Sequence, residues 1–155
     1  MAVSLLGTVL VTAYALWALF QIFWLNPDAA VPGDQHDQIR QDLAQAGESM
    51  NIRQAVAIMS VGPAVAVVVL VAVAVRTGTD PLAPATIYLM ILVCGPLAYM
   101  GASFGPGMAL ADTYAIGGGD HSPWALPLYL VSAAALLALI GVAVAAMRRG
   151  GRRTV

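Results

Sequence analysis

The chain alternates long apolar runs with short polar ones. Ala2 to Leu25 carries no charge over twenty-four residues. As a helix it rises about 36 Å, enough to cross a hydrocarbon core of roughly 30 Å with some tilt. A second apolar run, about Gln54 to Val75, is bounded by Arg53 and Arg76. Its valines favour strands in water, but some twenty apolar residues between two arginines fit a membrane helix. The third uncharged run, between Asp80 and Asp112, is longer than one span needs. Gly105-Pro106-Gly107 is expected to end its helix, which gives a span of about Ala85 to Phe104. The fourth covers about Trp124 to Met147 and is stopped by Arg148 and Arg149.

This pattern predicts an all-α, integral membrane bundle of four transmembrane helices in a single membrane domain, with outer loops at 26–53 and 105–123. The first run is read as a span, not a cleaved signal peptide: it has no basic start and is longer than the usual 7–15 apolar residues. The loop at 26–53 opens with a turn-rich stretch through Pro32-Gly33-Asp34. Ile39, Leu43, Ala46 and Met50 then recur at helical spacing, so this outer loop is expected to be partly helical.

Composition agrees with the pattern. The chain is 60% hydrophobic and 10% charged over 155 residues, with a mean hydropathy of +0.82. A water-soluble enzyme, a disordered chain and a disulfide-stapled module are excluded, the last because Cys94 is the lone cysteine. All seven basic residues are arginine, as GC-rich prokaryotic codons would give, and no basic face for nucleic acid results. With four spans both termini share a side. That side carries Arg76, Arg148, Arg149, Arg152 and Arg153, against Arg40 and Arg53 on the other. The positive-inside rule then puts both termini in the cytoplasm of a multi-pass protein of the cell membrane. Seven acids fall outside: Asp28, Asp34, Asp37, Asp42, Glu48, Asp112 and Asp120.

No Asp, Glu, Lys, Arg or His lies inside a predicted span, so the ionisable handle that ion-coupled transporters usually keep in the membrane is missing. Haem ligation by two membrane histidines is excluded on the same ground. His36 and His121 lie in the outer loops, each beside an aspartate, Asp37 and Asp120 respectively. Imidazole with carboxylate suits a divalent metal. If the loops meet, His36, His121 and one or two of Asp34, Asp37, Asp112 and Asp120, with Asp37 and Asp120 the first choice, could share one; the competing reading is two solvated loops with helix-capping acids.

Ser4, Thr8, Thr12, Gln21, Ser60, Ser103 and Ser132 are expected to make interhelical hydrogen bonds. Trp24, Tyr88, Tyr114, Trp124 and Tyr129 are read as an aromatic belt at the two interfaces. Gly62-Pro63 and Gly95-Pro96 should kink their helices and free the carbonyls of Met59 and Leu92. Small residues four apart, Gly62 and Ala66, Gly101 and Gly105, Ala134 and Ala138, Gly141 and Ala145, invite close helix contact. With neither Walker loop nor dinucleotide fingerprint nor zinc-protease motif, the leading expectation is a non-catalytic, accessory or structural subunit of a larger membrane complex. It would contact lipid and either other membrane subunits or its own copies. The alternatives are a homo-oligomeric channel or transporter for a small solute or cation, and a metal-binding protein or enzyme using the outer His/Asp loops.

Overall fold

The computed structural model describes residues 1–76 and 80–151, which form helices and no strand. Four stretches are long and apolar enough to span a membrane, Ala2–Ala30, Ile52–Val75, Leu82–Tyr114 and Pro123–Met147. The protein is thus a helical, multi-pass membrane bundle. Its large exposed hydrophobics, such as Leu6, Val68, Leu97 and Leu137, lie on the outside of the spans and would be solvated by lipid.

The first span is compound. Helix α1 (Ala2–Phe20) runs into a π-helical turn, Gln21–Leu25, and then into α2 (Asn26–Ala30). It therefore continues five residues past Leu25. Pro27 is tolerated because it sits in the first turn of α2. The chain then turns at Gly33, whose φ of +103° suits glycine.

Helix α3 (His36–Gln45) confirms the amphipathic stretch in the outer loop. Ile39, Leu43 and Met50 are buried, whereas Ala46 is exposed at the helix end. Gly47 closes the helix in the left-handed conformation, its N–H donating to the Ala44 carbonyl and that of Glu48 to Leu43.

Helix α4 (Ile52–Val75) contains Pro63 without breaking. The third span consists of α5 (Leu82–Val93) and α6 (Gly95–Tyr114), joined by a turn at Cys94. The Asp80 carboxylate accepts the Leu82 N–H at 3.0 Å at its start. Gly105-Pro106-Gly107 does not end α6, contrary to the local signal. Proline removes a single donor, and continuing the helix buries Ala109 and Leu110 toward the C-terminal end of α6, which packs on α3. The second outer loop is correspondingly short, 115–122. A 3₁₀ turn, Pro123–Ala125, then leads into α7 (Leu126–Gly151), with the Ser122 hydroxyl accepting the Trp124 N–H.

Helix α1 is central, packed against α4 and α5; α6 packs on α4, and α7 leans chiefly on α5. Among the described residues three glycines mark the closest approaches, Gly107 under the Gly118 carbonyl and two others under tyrosine rings. The Tyr88 ring occupies the space where Gly7 would carry a Cβ, and the Tyr14 ring does the same at Gly95. Gly101 and Gly105 see α4 only at ordinary contact distance, 3.9 Å from Ile58 and Asn51. Tyr88 is accordingly a buried packing residue and not a member of an interfacial belt.

Candidate functional site

The described polar side chains gather mainly where the first, third and fourth spans meet the loop 115–122. On the first span Gln21 and Asn26 face that loop and Trp17 the 3₁₀ turn that follows it. Trp17 Nε1 donates to the Trp124 carbonyl at 3.1 Å, and Gln21 Nε2 to the Ser122 carbonyl at 3.4 Å. Asn26 Oδ1 accepts the backbone N–H of His121 at 2.6 Å and that of Ser122 at 3.4 Å. In a regular α-helix a residue five positions on is turned about 140° away. The π turn, in which the Asn26 N–H donates to the Gln21 carbonyl, returns Asn26 to the face of Gln21. Irregular backbone here brings Asn26 onto the face that Trp17 and Gln21 already share by regular helical spacing.

Asp120 lies at the centre of this junction. Tyr99 from α6 donates to one carboxylate oxygen at 2.5 Å, and Tyr129 from α7 donates to the other at 3.0 Å. The two rings meet edge to face, 6.1 Å apart. Tyr99 is 1% exposed and Gln21 0%, whereas Asp120 reaches the surface. Gln21 Oε1 is buried without a hydrogen-bond partner. No basic side chain among the described residues pairs with Asp120, so its charge is held in place and left uncompensated.

Asp120 and Tyr129 line a cavity of about 330 Å³ together with Asn26 and Ser103; Met100 and Phe104 form part of its apolar wall. A second cavity, about 310 Å³, lies between α1, α4 and the α5–α6 junction. It is walled almost wholly by apolar groups, and Met59, Gly62, Pro63, Leu92 and Gly95 all border it. Residues of two Gly-Pro pairs thus border a hydrocarbon-like cleft. Exposed Cys94 also borders it.

The outer histidines take separate partners. His36 Nδ1 lies 3.0 Å from Asp28 Oδ1, and its ring stacks on Trp24 at 5.4 Å. His121 Nε2 donates to the Gly117 carbonyl at 2.7 Å. Asp37 and Asp112 are exposed, and Asp42 accepts the Tyr114 hydroxyl at 2.9 Å. Among the described residues no three His, Cys, Asp or Glu side chains gather as metal ligands would. The physical reason is that His121 points back into its own loop while Asp120 turns to two tyrosines. His36 Nδ1 is taken by Asp28, while its Nε2 is buried without a hydrogen-bond partner.

Of the polar residues expected to bond between helices, Thr8 does so with Tyr88 and the Ala66 carbonyl and Ser132 with Tyr14, whereas Gln21 bonds a loop carbonyl, that of Ser122. Ser60 and Ser103 instead donate to carbonyls of their own helices. Ser4 is buried with its hydroxyl unpartnered. Asn26, Asp28 and the tyrosine pair around Asp120 were not foreseen as a site. The available signal was the run of polar residues at 17, 21 and 26, legible only once the π turn is known. The comparisons find no matching family model, curated protein or solved structure.

Proposed function

We propose that this chain is a non-catalytic subunit of a larger membrane assembly and that it docks onto partner spans through α7. The observation that carries this reading is a stripe of small residues, Ala134, Ala138, Gly141 and Ala145, all exposed and all on one face of α7. Their 4-3-4 spacing keeps them within about 60° around the helix, and nothing lies within 4 Å of a Cβ built on Gly141. Leu130 and Leu137 flank the stripe, 59% and 70% exposed, so the face has knobs beside a shallow groove. In lipid such faces associate through close backbone approach, since the hydrophobic effect does not act between helices there. The polar residues support the same reading, because Asp120, His121, Asn26 and Tyr99 are engaged in holding loops to helices and form no nucleophile-and-base pair.

The protein is further proposed to sit in the cell membrane with both termini in the cytoplasm, on the arginine bias of the two sides. Arg152 and Arg153, part of that bias, lie outside the described residues.

Gentle detergent extraction of the full chain, followed by identification of what copurifies, tests the subunit reading. Foreign subunits in fixed stoichiometry that are lost in Ala138→Leu and Gly141→Leu are expected. A homo-oligomer sensitive to the same replacements would favour the channel alternative. A monomer indifferent to both would remove the basis for docking through α7.

A further inference from the structure

We propose that the cavity beside Asp120 binds the primary ammonium head of a long-chain amphiphile from the surrounding bilayer. Three observations converge on this chemistry, and none depends on association through α7.

The first is charge. The Asp120 carboxylate is fixed by one tyrosine hydroxyl on each oxygen, and no arginine among the described residues reaches it. Each oxygen still has a lone pair to offer, because a carboxylate accepts about four hydrogen bonds and two are used here. A cation is the complementary guest, on a side that carries seven acids against two arginines.

The second is hydrogen-bonding capacity. Ser103, whose hydroxyl oxygen can accept, borders the cavity, and Tyr129 presents its phenol there. A primary ammonium brings three donors, which suits several oxygen acceptors around one carboxylate. A quaternary ammonium has no N–H for these acceptors and needs an aromatic cage instead, whereas among the described residues only two rings, Tyr129 and Phe104, border the cavity and Tyr99 does not.

The third is the wall. Leu97, Met100 and Phe104 border the cavity and are 69%, 63% and 68% exposed on the lipid-facing side of α6. Their spacing along α6 forms an apolar track that leads from the polar end toward mid-span. A guest with a charged head and a hydrocarbon tail satisfies both parts of the cavity, whereas a free small cation satisfies the head alone. The cavity volume of about 330 Å³ admits such a head with the first part of its chain.

The test uses the full-length protein in phosphatidylcholine nanodiscs, titrated with dodecylammonium chloride and followed by thermophoresis and by thermal shift. Butylammonium, the head without the tail, and 1-dodecanol, the chain without the charge, run beside it. Saturable binding of dodecylammonium is expected, with little from either comparator. Asp120→Asn keeps an acceptor for the tyrosines but drops the charge, and should weaken binding by about tenfold or more, the scale of one charge-assisted hydrogen bond. Ser103→Phe fills the cavity without touching Asp120 and should also abolish binding while the ligand-free protein melts near the wild-type temperature. Non-saturable partitioning identical in wild type and both variants overturns the proposal. Equal binding of butylammonium overturns the amphiphile and leaves a free-cation site in its place.

Discussion

At the level of single residues, the bundle is specified less by its many alanines than by a few positions where a side chain has no room or no substitute. Gly7 and Gly95 are two of them, each lying under a tyrosine ring. Gly7→Ala should push the Tyr88 ring away from Thr8 and the Ala66 carbonyl, to which its hydroxyl is bonded. Overpacking of this kind costs about 1–3 kcal/mol. A clear drop in the melting temperature of detergent-solubilised protein is expected, while Gly101→Ala, with only Ile58 at 3.9 Å, should melt like the wild type. Equal effects of the two would show that ring-on-glycine packing does not set the helix spacing. Asn26 is the polar counterpart. Its single oxygen accepts two backbone N–H groups of the opposite loop, so Asn26→Ala leaves the buried Ser122 N–H and the partly buried His121 N–H without that acceptor. A loss of roughly 1–3 kcal/mol follows for an unsatisfied buried donor, readable as faster amide exchange at 121–122.

Among the elements, the third span shows how little a local helix breaker decides. Three Gly-Pro pairs occur, at 62, 95 and 105, and they behave differently. Pro63 and Pro106 lie inside continuous helices, and only the second pair coincides with a junction, the turn at Cys94 between α5 and α6. Proline in the first turn of α6 is harmless there, because that turn needs no intrahelical donor. The junction puts Cys94 on the bundle exterior at mid-span. Its thiol should therefore react slowly with a membrane-impermeant maleimide in intact vesicles and readily after denaturation in dodecyl sulfate. Fast labelling by the impermeant reagent in vesicles would mean that water reaches the α5–α6 junction.

For the molecule as a whole, the distribution of buried surface is uneven. Only 11% of the most apolar stretch of the second span is buried within the bundle, and 11% of the fourth, against 33% for the first. The periphery is thus made of α4 and α7, and those helices are available to lipid or to partner spans. The proposed orientation is checked by a reporter active only in the cytoplasm. Fused after Val155 it should be active, and inserted near Gly33 it should be silent. The reverse pattern would invert the arginine argument and place the Asp120 cavity on the cytoplasmic side.

The number of spans, their helical nature and the amphipathic α3 were determined by the sequence alone. They depend on local quantities: uncharged length against bilayer thickness, and apolar spacing against 3.6 residues per turn. Thr8 and Ser132 were also legible as interhelical bonding groups, since a polar side chain in hydrocarbon must find a partner. The ends of the helices were not. The first span runs on to Ala30 because Pro27 falls in the first turn of α2, and the third to Tyr114 because packing beyond Pro106 compensates for the lost donor, which a sequence window does not see. Tertiary structure alone decided that Asp120 turns to Tyr99 and Tyr129, and His36 to Asp28, away from a common centre. Groups from 4 to 118 residues apart choose partners by direction and depth, and the π turn at Gln21–Leu25 resets direction by an amount no periodicity in the sequence announces.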